Sequence, residues 1–221
     1  MKRKVVTTAD GSATIHLEEW NEQYHSKHGA IQEAEHVFLK HGLHQFEKNA
    51  KIAILEIGFG TGLNALLTIR ETLRLGYTIR YTGIEAFPVA QEEITQLNYV
   101  QLLHKPELEA VFKQMHSIDW GVPENLIAQF SLEKVQINFQ EITYQDKFDL
   151  VYFDAFGARV QPELWTEEIF QKMFYALKSK GILVTYAAKG SVRRAMQAVG
   201  FKVERLPGPP GKREMLRAVK P

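Results

Sequence analysis

The sequence predicts an α/β fold: a doubly wound, mostly parallel sheet with an antiparallel strand at its C-terminal edge. After Lys51, apolar strand-like segments alternate with segments of helical periodicity, and a glycine-rich turn joins the first strand to the first helix. The chain then closes with two apolar segments around a Pro/Gly turn at residues 207–211. Alternation implies parallel strands with right-handed crossovers, and the closing strand, turn and strand imply the antiparallel edge.

The order of elements follows from the apolar pattern. We predict strands at residues 52–57, 78–85, 135–139, 148–153, 182–186, 201–206 and 214–219. We predict helices at residues 63–75, 88–102, 167–180 and 191–199, and an irregular helical stretch at 105–129. Pro88 fits a first helical turn, where its missing N–H costs nothing, and Thr166 can cap a helix whose first turn holds Glu167 and Glu168.

The first 50 residues follow a different pattern. They contain a turn at Asp10-Gly11, a polar stretch over residues 18–28 and a helix predicted over residues 31–43. Six of the eight histidines lie here, but their spacing matches no metalloprotease or zinc-knuckle pattern, and the chain has no cysteine to assist them. We therefore expect no metal site.

Length and composition limit the class of protein. With 221 residues, of which 45% are hydrophobic, the chain is long enough for one sizeable domain. The absence of cysteine excludes a disulfide framework and a cysteine nucleophile. No apolar run approaches the roughly 20 residues that cross a bilayer, and we expect a cytoplasmic protein.

Charge is unevenly distributed along the chain. The net charge is +1 overall, but residues 177–221 contain 11 basic and two acidic side chains. This C-terminal fifth therefore carries +9, and the rest of the chain carries −8. Such a basic segment suits a polyanionic partner if its side chains share a face.

The glycine-rich turn carries the first functional signal. Glycines let the backbone turn sharply and approach a ligand closely. The dinucleotide fingerprint is Gly-x-Gly-x-x-Gly, whereas here the third glycine, Gly62, comes one place early and Leu63 takes the last position. This spacing disfavours a pyrophosphate cradle.

The pattern Glu-x-Gly-x-Gly-x-Gly that begins at Glu56 resembles the first motif of Rossmann-like class I S-adenosylmethionine-dependent methyltransferases. Glu85, after the second strand, can accept hydrogen bonds from a ribose diol, and Glu141, after the third, can accept one from the adenine amino group. Parallel strands place such residues in one crevice at their carboxyl ends. The expected cofactor-binding residues are Glu56, Gly58, Phe59, Gly60, Gly62, Asn64, Glu85, Glu141, Asp154 and Phe156.

The last third of the chain extends the resemblance. Its motifs are Phe153-Asp154-Ala155-Phe156-Gly157, Pro162-x-x-Trp165-Thr166, Val184-Thr185-Tyr186, Ser191-Val192-Arg193-Arg194 and Gly211-Lys212-Arg213-Glu214-Met215. In this order they resemble the methyltransferase domain of the MnmC-type tRNA wobble-uridine enzymes. Tyr24-His25-Ser26 and Glu33 also resemble that family's N-terminal segment. The chain departs from the family at Gln140-Glu141, where Gly-Asp is usual.

The resemblance implies methyl transfer from S-adenosylmethionine to the amine of 5-aminomethyl(-2-thio)uridine at the tRNA wobble position, which gives the 5-methylaminomethyl product. It implies a methyltransferase domain at residues 51–221 and an N-terminal extension at residues 1–50 that packs on the cofactor and substrate side. Bifunctional members have a further flavin-dependent oxidase domain of several hundred residues. We expect methylation alone here, with no flavin, and the tRNA anticodon arm as partner.

Methyl transfer to an amine requires that the nitrogen lies in line with the methyl carbon and that the ammonium has lost one proton. An alkylammonium with a pKa of about 10.4 has no free lone pair at neutral pH and must lose a proton before it attacks. Asp154, after the fourth strand, is the candidate to orient the ammonium, and Tyr186, after the fifth, to hydrogen bond the amine or pack on the uracil. Because an ordinary carboxylate is a weak base, we expect relay of the proton to water.

Further residues are candidates for contact with tRNA. Phe156 and Trp165 offer aromatic faces to an unstacked base, although Trp165 fits ordinary core equally well. The candidates for the phosphate backbone are Arg159, Lys189, Arg193, Arg194, Lys212 and Arg213.

Two other interpretations stay open because one fold supports many functions. The first is a non-catalytic tRNA-binding protein, against which the cofactor acids and Asp154 argue. The second is a small-molecule amine methyltransferase or aminopropyltransferase, which would use the same turn and an acid after the fourth strand. The basic C-terminal fifth argues against this second interpretation.

Overall fold

The computed structural model describes residues 2–221; Met1, the first residue of the predicted N-terminal extension, lies outside the described residues. The strands in chain order are β1 Arg3–Thr7, β2 Ala13–Leu17, β3 Glu22–Gln23, β4 Lys51–Ile57, β5 Thr78–Ile84, β6 Glu124–Ile127, β7 Phe130–Val135, β8 Phe148–Phe153, β9 Leu177–Thr185, β10 Lys202–Pro207 and β11 Glu214–Val219. The helices are α1 Ala30–Ala34, α2 Leu63–Leu75, α3 Gln91–Ile94, α4 Tyr99–Leu102, α5 Glu109–Ser117, α6 Glu167–Ala176 and α7 Gly190–Ala198.

The main sheet has eight strands in the order β10-β11-β9-β8-β4-β5-β7-β6. Strands β4, β5, β7, β8 and β9 run parallel. Strand β11 pairs antiparallel with β9, and β10 pairs antiparallel with β11. The predicted α/β fold with an antiparallel C-terminal edge is therefore confirmed. The opposite edge also ends in an antiparallel strand, β6, which was not predicted from the sequence.

Several elements form where the sequence predicts them. Helix α2 begins after Gly62 and ends at Gly76, both of which adopt left-handed backbone angles that glycine tolerates best. Strands β8 and β11 have the predicted bounds. Thr166 caps α6, because its hydroxyl accepts a hydrogen bond from the Ile169 N–H.

The prediction of one helix over residues 88–102 was wrong. The segment forms two short helices, α3 and α4, and Pro88 precedes both. Between them, the Asn98 side chain donates to the Gly11 carbonyl at 2.9 Å and accepts from the Ala13 N–H at 2.8 Å. These bonds tie the segment to the N-terminal region and interrupt the helix.

The third strand of the parallel core was also misplaced. Residues 135–139 were predicted, but the strand is β7, where Phe130, Leu132 and Lys134 are buried in alternation. It pairs with β5 from Ile79 and Phe130 onward. The stretch predicted to be irregularly helical contains α5 and then the strand β6.

The N-terminal region forms its own three-stranded sheet, β1-β2-β3, which was not predicted. The turn at Asp10-Gly11 between β1 and β2 is confirmed, because the Gly11 N–H donates to the Thr8 carbonyl at 3.0 Å. The predicted helix over residues 31–43 is α1 followed by a π-helical segment, Glu35–Lys40.

Both faces of the main sheet are covered by apolar side chains, as a parallel sheet requires: Ile54 of β4 packs into one cluster and Leu55 into the other. Within residues 2–221, no helix combines the length and the apolar character needed to cross a membrane.

Candidate active site

A cavity of about 1190 Å³ lies beyond the carboxyl ends of the parallel strands. Gly58 follows β4, Glu85 follows β5, Asp154 follows β8 and Tyr186 follows β9, and all four line the cavity. Open parallel sheets bind ligands at this edge. The predicted crevice is therefore present, and the sheet brings the predicted acids Glu85 and Asp154 into it.

The glycine turn forms one wall of the cavity. The N–H groups of Gly58 and Phe59 donate to the Ile84 carbonyl at 3.0 and 2.9 Å, which holds the turn against β5. Gly58 has φ +89°, and a Cβ there would lie 2.7 Å from the Asp154 carbonyl oxygen. Glycine is therefore required at this position, because the backbones after β4 and β8 approach each other closely.

Glu85 is fixed by two backbone donors. Its Oε2 accepts from the Gly60 N–H and its Oε1 from the Phe87 N–H, each at 3.0 Å. Each carboxylate oxygen can accept a further hydrogen bond. The ribose diol of an adenosyl group can supply two donors. The close glycine turn, the oriented carboxylate and the volume of the cavity fit an adenosyl ligand such as S-adenosylmethionine.

Glu56 lies behind the cavity rather than in it. It is fully buried; its Oε1 accepts from the Asn64 side-chain amide and its Oε2 from the Tyr81 hydroxyl, both at 2.8 Å. Burial raises the pKa of Glu56 well above its usual range. Glu56 does not line the cavity but orients Asn64, which does; the predicted contact of Glu56 with the cofactor stays a prediction.

Asp154 sits at the centre of the site. Its Oδ2 accepts from the Asn64 side-chain amide at 2.9 Å. Burial, followed by the nearby negative charge of Glu33, raises the pKa of Asp154 to about 7, against the opposing effects of Asn64 and Lys212. A carboxyl group that titrates near neutral pH can accept a proton and release it again under ordinary conditions.

Aromatic rings form the wall next to Asp154. The Phe156 ring lies 4.9 Å from Tyr24 and 5.6 Å from Trp20 between centroids, and both contacts are nearly perpendicular. All three rings line the cavity. Trp20 lies in the loop before β3, and Tyr24 directly follows β3. Neither was among the predicted site residues.

Tyr186 is the other aromatic residue beside Asp154. Its hydroxyl donates to the Ala155 carbonyl at 2.8 Å, so it braces the loop that carries Asp154 and Phe156. The Lys212 Nζ lies 3.8 Å from the centroid of the Tyr186 ring and pairs with the Glu33 carboxylate. Glu33 and Lys212 also line the cavity.

Three other predicted residues lie outside the cavity. Trp165 is 5% exposed and its indole N–H donates to the Phe156 carbonyl at 2.7 Å, so it belongs to the core beneath the site. Gly62 packs against α5, where a Cβ would lie 2.6 Å from the Met115 Cε. Glu141 accepts from the Asn138 N–H at 3.2 Å in a local turn, and Gln140, not Glu141, lines the cavity. The predicted contacts of Trp165 with the substrate, and of Gly62 and Glu141 with the cofactor, stay predictions, and none of the three residues lines this cavity.

The predicted basic residues are dispersed around the cavity mouth. Lys189 and Arg213 line an adjoining cavity of about 470 Å³, which shares Tyr186 and Lys212 with the first. Arg159 also lines it, and pairs with Glu22 at 2.8 Å. Arg193 and Arg194 lie on α7 directly after Val192, which lines this adjoining cavity, but neither arginine lines it. Among residues 2–221, no three His, Cys, Asp or Glu side chains are grouped as a metal ion would require.

Comparison with known proteins gives several relatives. The bifunctional protein MnmC of tRNA 5-methylaminomethyl-2-thiouridine biosynthesis from Leptospira interrogans is 30% identical over 214 residues, covering 90% of this chain and 32% of the relative. MnmC from Paracidovorax citrulli is 29% identical, covering 90% of this chain and 33% of the relative. The chain thus spans about a third of the length of these curated relatives.

The solved structures agree on the fold. MnmC2 from Aquifex aeolicus is 26% identical, with a TM-score of 0.78 over 98% of this chain and 69% of that one. Spermidine synthase from Thermotoga maritima is 16% identical, with a TM-score of 0.57 over 99% of this chain and 68% of that one, and shares the fold alone. A model of the S-adenosyl-L-methionine-dependent methyltransferase family matches residues 100–221, more than half of the chain. The chain belongs to this family of S-adenosyl-L-methionine-dependent methyltransferases.

Proposed function

We propose that this chain methylates tRNA at the wobble position. The methyl group passes from S-adenosyl-L-methionine to the amine of 5-aminomethyluridine or its 2-thio form, and the product is the 5-methylaminomethyl nucleoside. The observation that carries the proposal is the match to MnmC proteins over 90% of the chain, since these relatives are named for the biosynthesis of 5-methylaminomethyl-2-thiouridine in tRNA.

The glycine turn and Glu85 hold the adenosyl group in this proposal. Gly58, Phe59, Gly60 and Glu85 line the same side of the cavity, and Gln140 extends it beyond β7. When bound, S-adenosyl-L-methionine supplies an electron-poor methyl carbon on a sulfonium. The chain's task is to place the amine in line with that carbon.

Asp154 orients the substrate ammonium and accepts its proton at the carboxylate. A reference alkylammonium pKa of about 10.4 is about 6.5 pH units above that of an ordinary aspartate. At a pKa of about 7, Asp154 narrows this gap to about 3.4 pH units, so that it becomes a far better acceptor. The proton then passes to water. Phe156, together with Trp20, Tyr24 and Tyr186, faces the unstacked uracil.

The tRNA backbone contacts the basic side chains around the mouth. We assign this role to Arg159, Lys189, Arg193, Arg194 and Arg213, which the structure places beside the cavity or on α7. The partner in this proposal is the anticodon arm, in the cytoplasm, where tRNA is modified. Residues 2–50 contribute Trp20, Tyr24 and Glu33 to the cavity, which supports an N-terminal extension on the cofactor and substrate side.

The test is methyl transfer from labelled S-adenosyl-L-methionine to undermodified tRNA, read by nucleoside mass spectrometry. Conversion of 5-aminomethyl to 5-methylaminomethyl nucleoside supports the proposal. The same reaction is run with free polyamines, because the fold is shared with spermidine synthase. A methylated polyamine with unchanged tRNA would favour the small-molecule alternative, and binding of tRNA with no product would favour a non-catalytic protein.

A further inference from the structure

Glu33 and Lys212 lie near opposite ends of the sequence but are in contact in the structure. Glu33 belongs to α1, Lys212 belongs to the loop between β10 and β11, and they form an ion pair at the cavity. The Glu33 side chain is 9% exposed, and its Oε2 also accepts from the Ser26 N–H at 2.8 Å. The Lys212 side chain is 32% exposed, so solvent screens the pair in part, whereas the Glu33 carboxylate is buried and held in place.

The loop that carries Lys212 is packed against the N-terminal region. Gly211 has φ +83°, and a Cβ there would collide with the His28 ring. The His36 Nε2 lies 2.8 Å from the Pro207 carbonyl oxygen at the other end of the loop. These contacts fix the loop that carries Lys212 beside the cavity. The predicted contact of Lys212 with the tRNA backbone stays a prediction.

The same pair faces the residues that carry the chemistry. Lys212 lies over the Tyr186 ring, and the Tyr186 hydroxyl holds the Ala155 carbonyl, next to Asp154. The negative charge of Glu33 raises the pKa of Asp154 and the positive charge of Lys212 lowers it. The other titratable groups coupled to Asp154 are Glu56 and Tyr81, through β4 and β5, and Tyr186, through β9.

We propose that Glu33 and Lys212 are positioning residues for methyl transfer: their ion pair braces Tyr186 over the Asp154 loop and balances the charge beside the Asp154 carboxylate. The role in catalysis rests on the proposed function. The balance of charge does not, since it is a property of the ligand-free protein. With the pair intact, Asp154 faces one negative and one positive neighbour; with either partner removed, the remaining charge acts on it unopposed.

The test uses Glu33→Gln, Lys212→Met and the double variant. The titration of the Asp154 carboxyl carbon is followed by NMR in ligand-free protein, with Asp154→Asn to assign the signal. Glu33→Gln is expected to lower the midpoint by about half a pH unit or more, and Lys212→Met to raise it by a similar amount. The double variant is expected to return close to the wild-type midpoint, which a purely structural role would not produce.

A matched control is Lys178→Met, which removes a lysine paired with Asp149 at 2.8 Å at the other end of the sheet. This control is expected to leave the Asp154 midpoint unchanged. Lys212→Arg, which keeps the positive charge, is expected to hold the Asp154 midpoint near its wild-type value. Thermal unfolding of each variant identifies any that does not fold, and the NMR comparison is then made with Glu33→Asp and Lys212→Arg, which should both stay near wild type.

The pH profile of kcat/KM on tRNA supplies the second measurement. Its acidic limb should move to lower pH in Glu33→Gln and to higher pH in Lys212→Met. Shifts of both single variants in the same direction, or no shift of the Asp154 midpoint, would overturn the proposal. Opposite NMR shifts in a protein that does not methylate tRNA would instead leave the charge balance standing and reject the proposed function.

Discussion

The side-chain amide of Asn64 donates to the Asp154 carboxylate at 2.9 Å, and the same nitrogen donates to the buried Glu56 at 2.8 Å. Asn64 comes from the first turn of α2, directly after the glycine turn, whereas Asp154 follows β8. One amide therefore links the helix that begins at the proposed cofactor site to the carboxylate proposed to handle the proton. The buried Glu56, which also accepts from Tyr81, fixes which way that amide points.

Replacement of Asn64 tests this link. Asn64→Leu keeps the size of the side chain but removes a donor from two carboxyls, so we expect a loss of stability of about 1 to 3 kcal/mol. Since the hydrogen bond from Asn64 lowers the pKa of Asp154, the acidic limb of the pH profile should also move upward. Urea unfolding and kcat/KM against pH measure the two effects. The control is Asn125→Leu, the same change at an exposed position of β6, and equal effects at both positions would refute the link.

Asp154→Asn should separate binding from chemistry. The amide retains the shape of the side chain but takes up no proton, so we expect S-adenosyl-L-methionine to bind with an affinity within a few-fold of wild type while turnover falls by about 100-fold or more. In the wild type, deprotonated Asp154 is the active form, and kcat/KM should rise as pH increases through about 7. Calorimetric binding and steady-state rates check both. A variant that turned over at the normal rate would remove Asp154 from the mechanism.

Glu85 and Glu141 form a matched pair of acids. Glu85→Ala removes the acceptor of the Gly60 and Phe87 N–H groups from the cavity wall, and we expect affinity for S-adenosyl-L-homocysteine to fall by about tenfold or more. Glu141→Ala changes a local turn outside the cavity lining, so its affinity should stay near wild type. Isothermal titration measures both. The reverse ranking would restore Glu141 to the cofactor site.

The basic side chains at the mouth should act through salt-dependent affinity. Arg194→Ala and Arg213→Ala are each expected to weaken tRNA binding and to reduce the slope of log K against log salt by about 0.7 to 0.9. The control is Lys51→Ala. Lys51 is the exposed first residue of β4, so it lies at the amino ends of the parallel strands, away from the cavity. Fluorescence anisotropy over a series of salt concentrations gives the slopes. If the slope of log K against log salt were the same in the two arginine variants as in the Lys51→Ala control, the RNA would bind on another surface.

Glu71 provides a prediction about acid stability that is independent of the proposed function. Burial raises its pKa, but hydrogen bonds from His44 and Arg74 outweigh this effect and bring the pKa to about 2. A carboxyl with a lowered folded-state pKa stabilises above its unfolded pKa of about 4.3, and this stabilisation is lost as pH falls toward 2. Glu71→Gln should cost about 1 to 3 kcal/mol at pH 7 and flatten the decline below pH 4.5. Unfolding curves at pH 7 and pH 3 measure the difference.

The sequence predicts those parts of the fold that local patterns determine. The glycines before and after Leu63–Leu75, and the unbroken apolar run of Phe148–Phe153, define their elements without reference to the rest of the chain. The strand β7 was not predicted because its buried face includes a charged residue, Lys134, which breaks the apolar alternation. In the structure the Lys134 ammonium donates to the His116 carbonyl at 2.9 Å. Only the tertiary structure supplies that partner.

The site was predicted where it depends on strand ends, and missed where it depends on contacts distant in sequence. Glu85 and Asp154 follow strands, so the parallel topology brings them together. Trp165 and Gln140 could not be distinguished from their neighbours, because burial of the indole beneath Phe156 and the turn at Asn138 depend on packing. Glu33 belonged to a motif that the sequence analysis singled out, but only its contact with Lys212 shows that it faces the cavity.

The most direct test is nucleoside mass spectrometry of tRNA from a strain that lacks the gene, complemented with wild-type protein or with Asp154→Asn. Without the protein, the 5-methylaminomethyl nucleoside should disappear and its 5-aminomethyl precursor should accumulate. Wild-type protein should restore the product, and Asp154→Asn should leave the precursor. An unchanged nucleoside profile in the deletion strain, or full restoration by Asp154→Asn, would contradict the account.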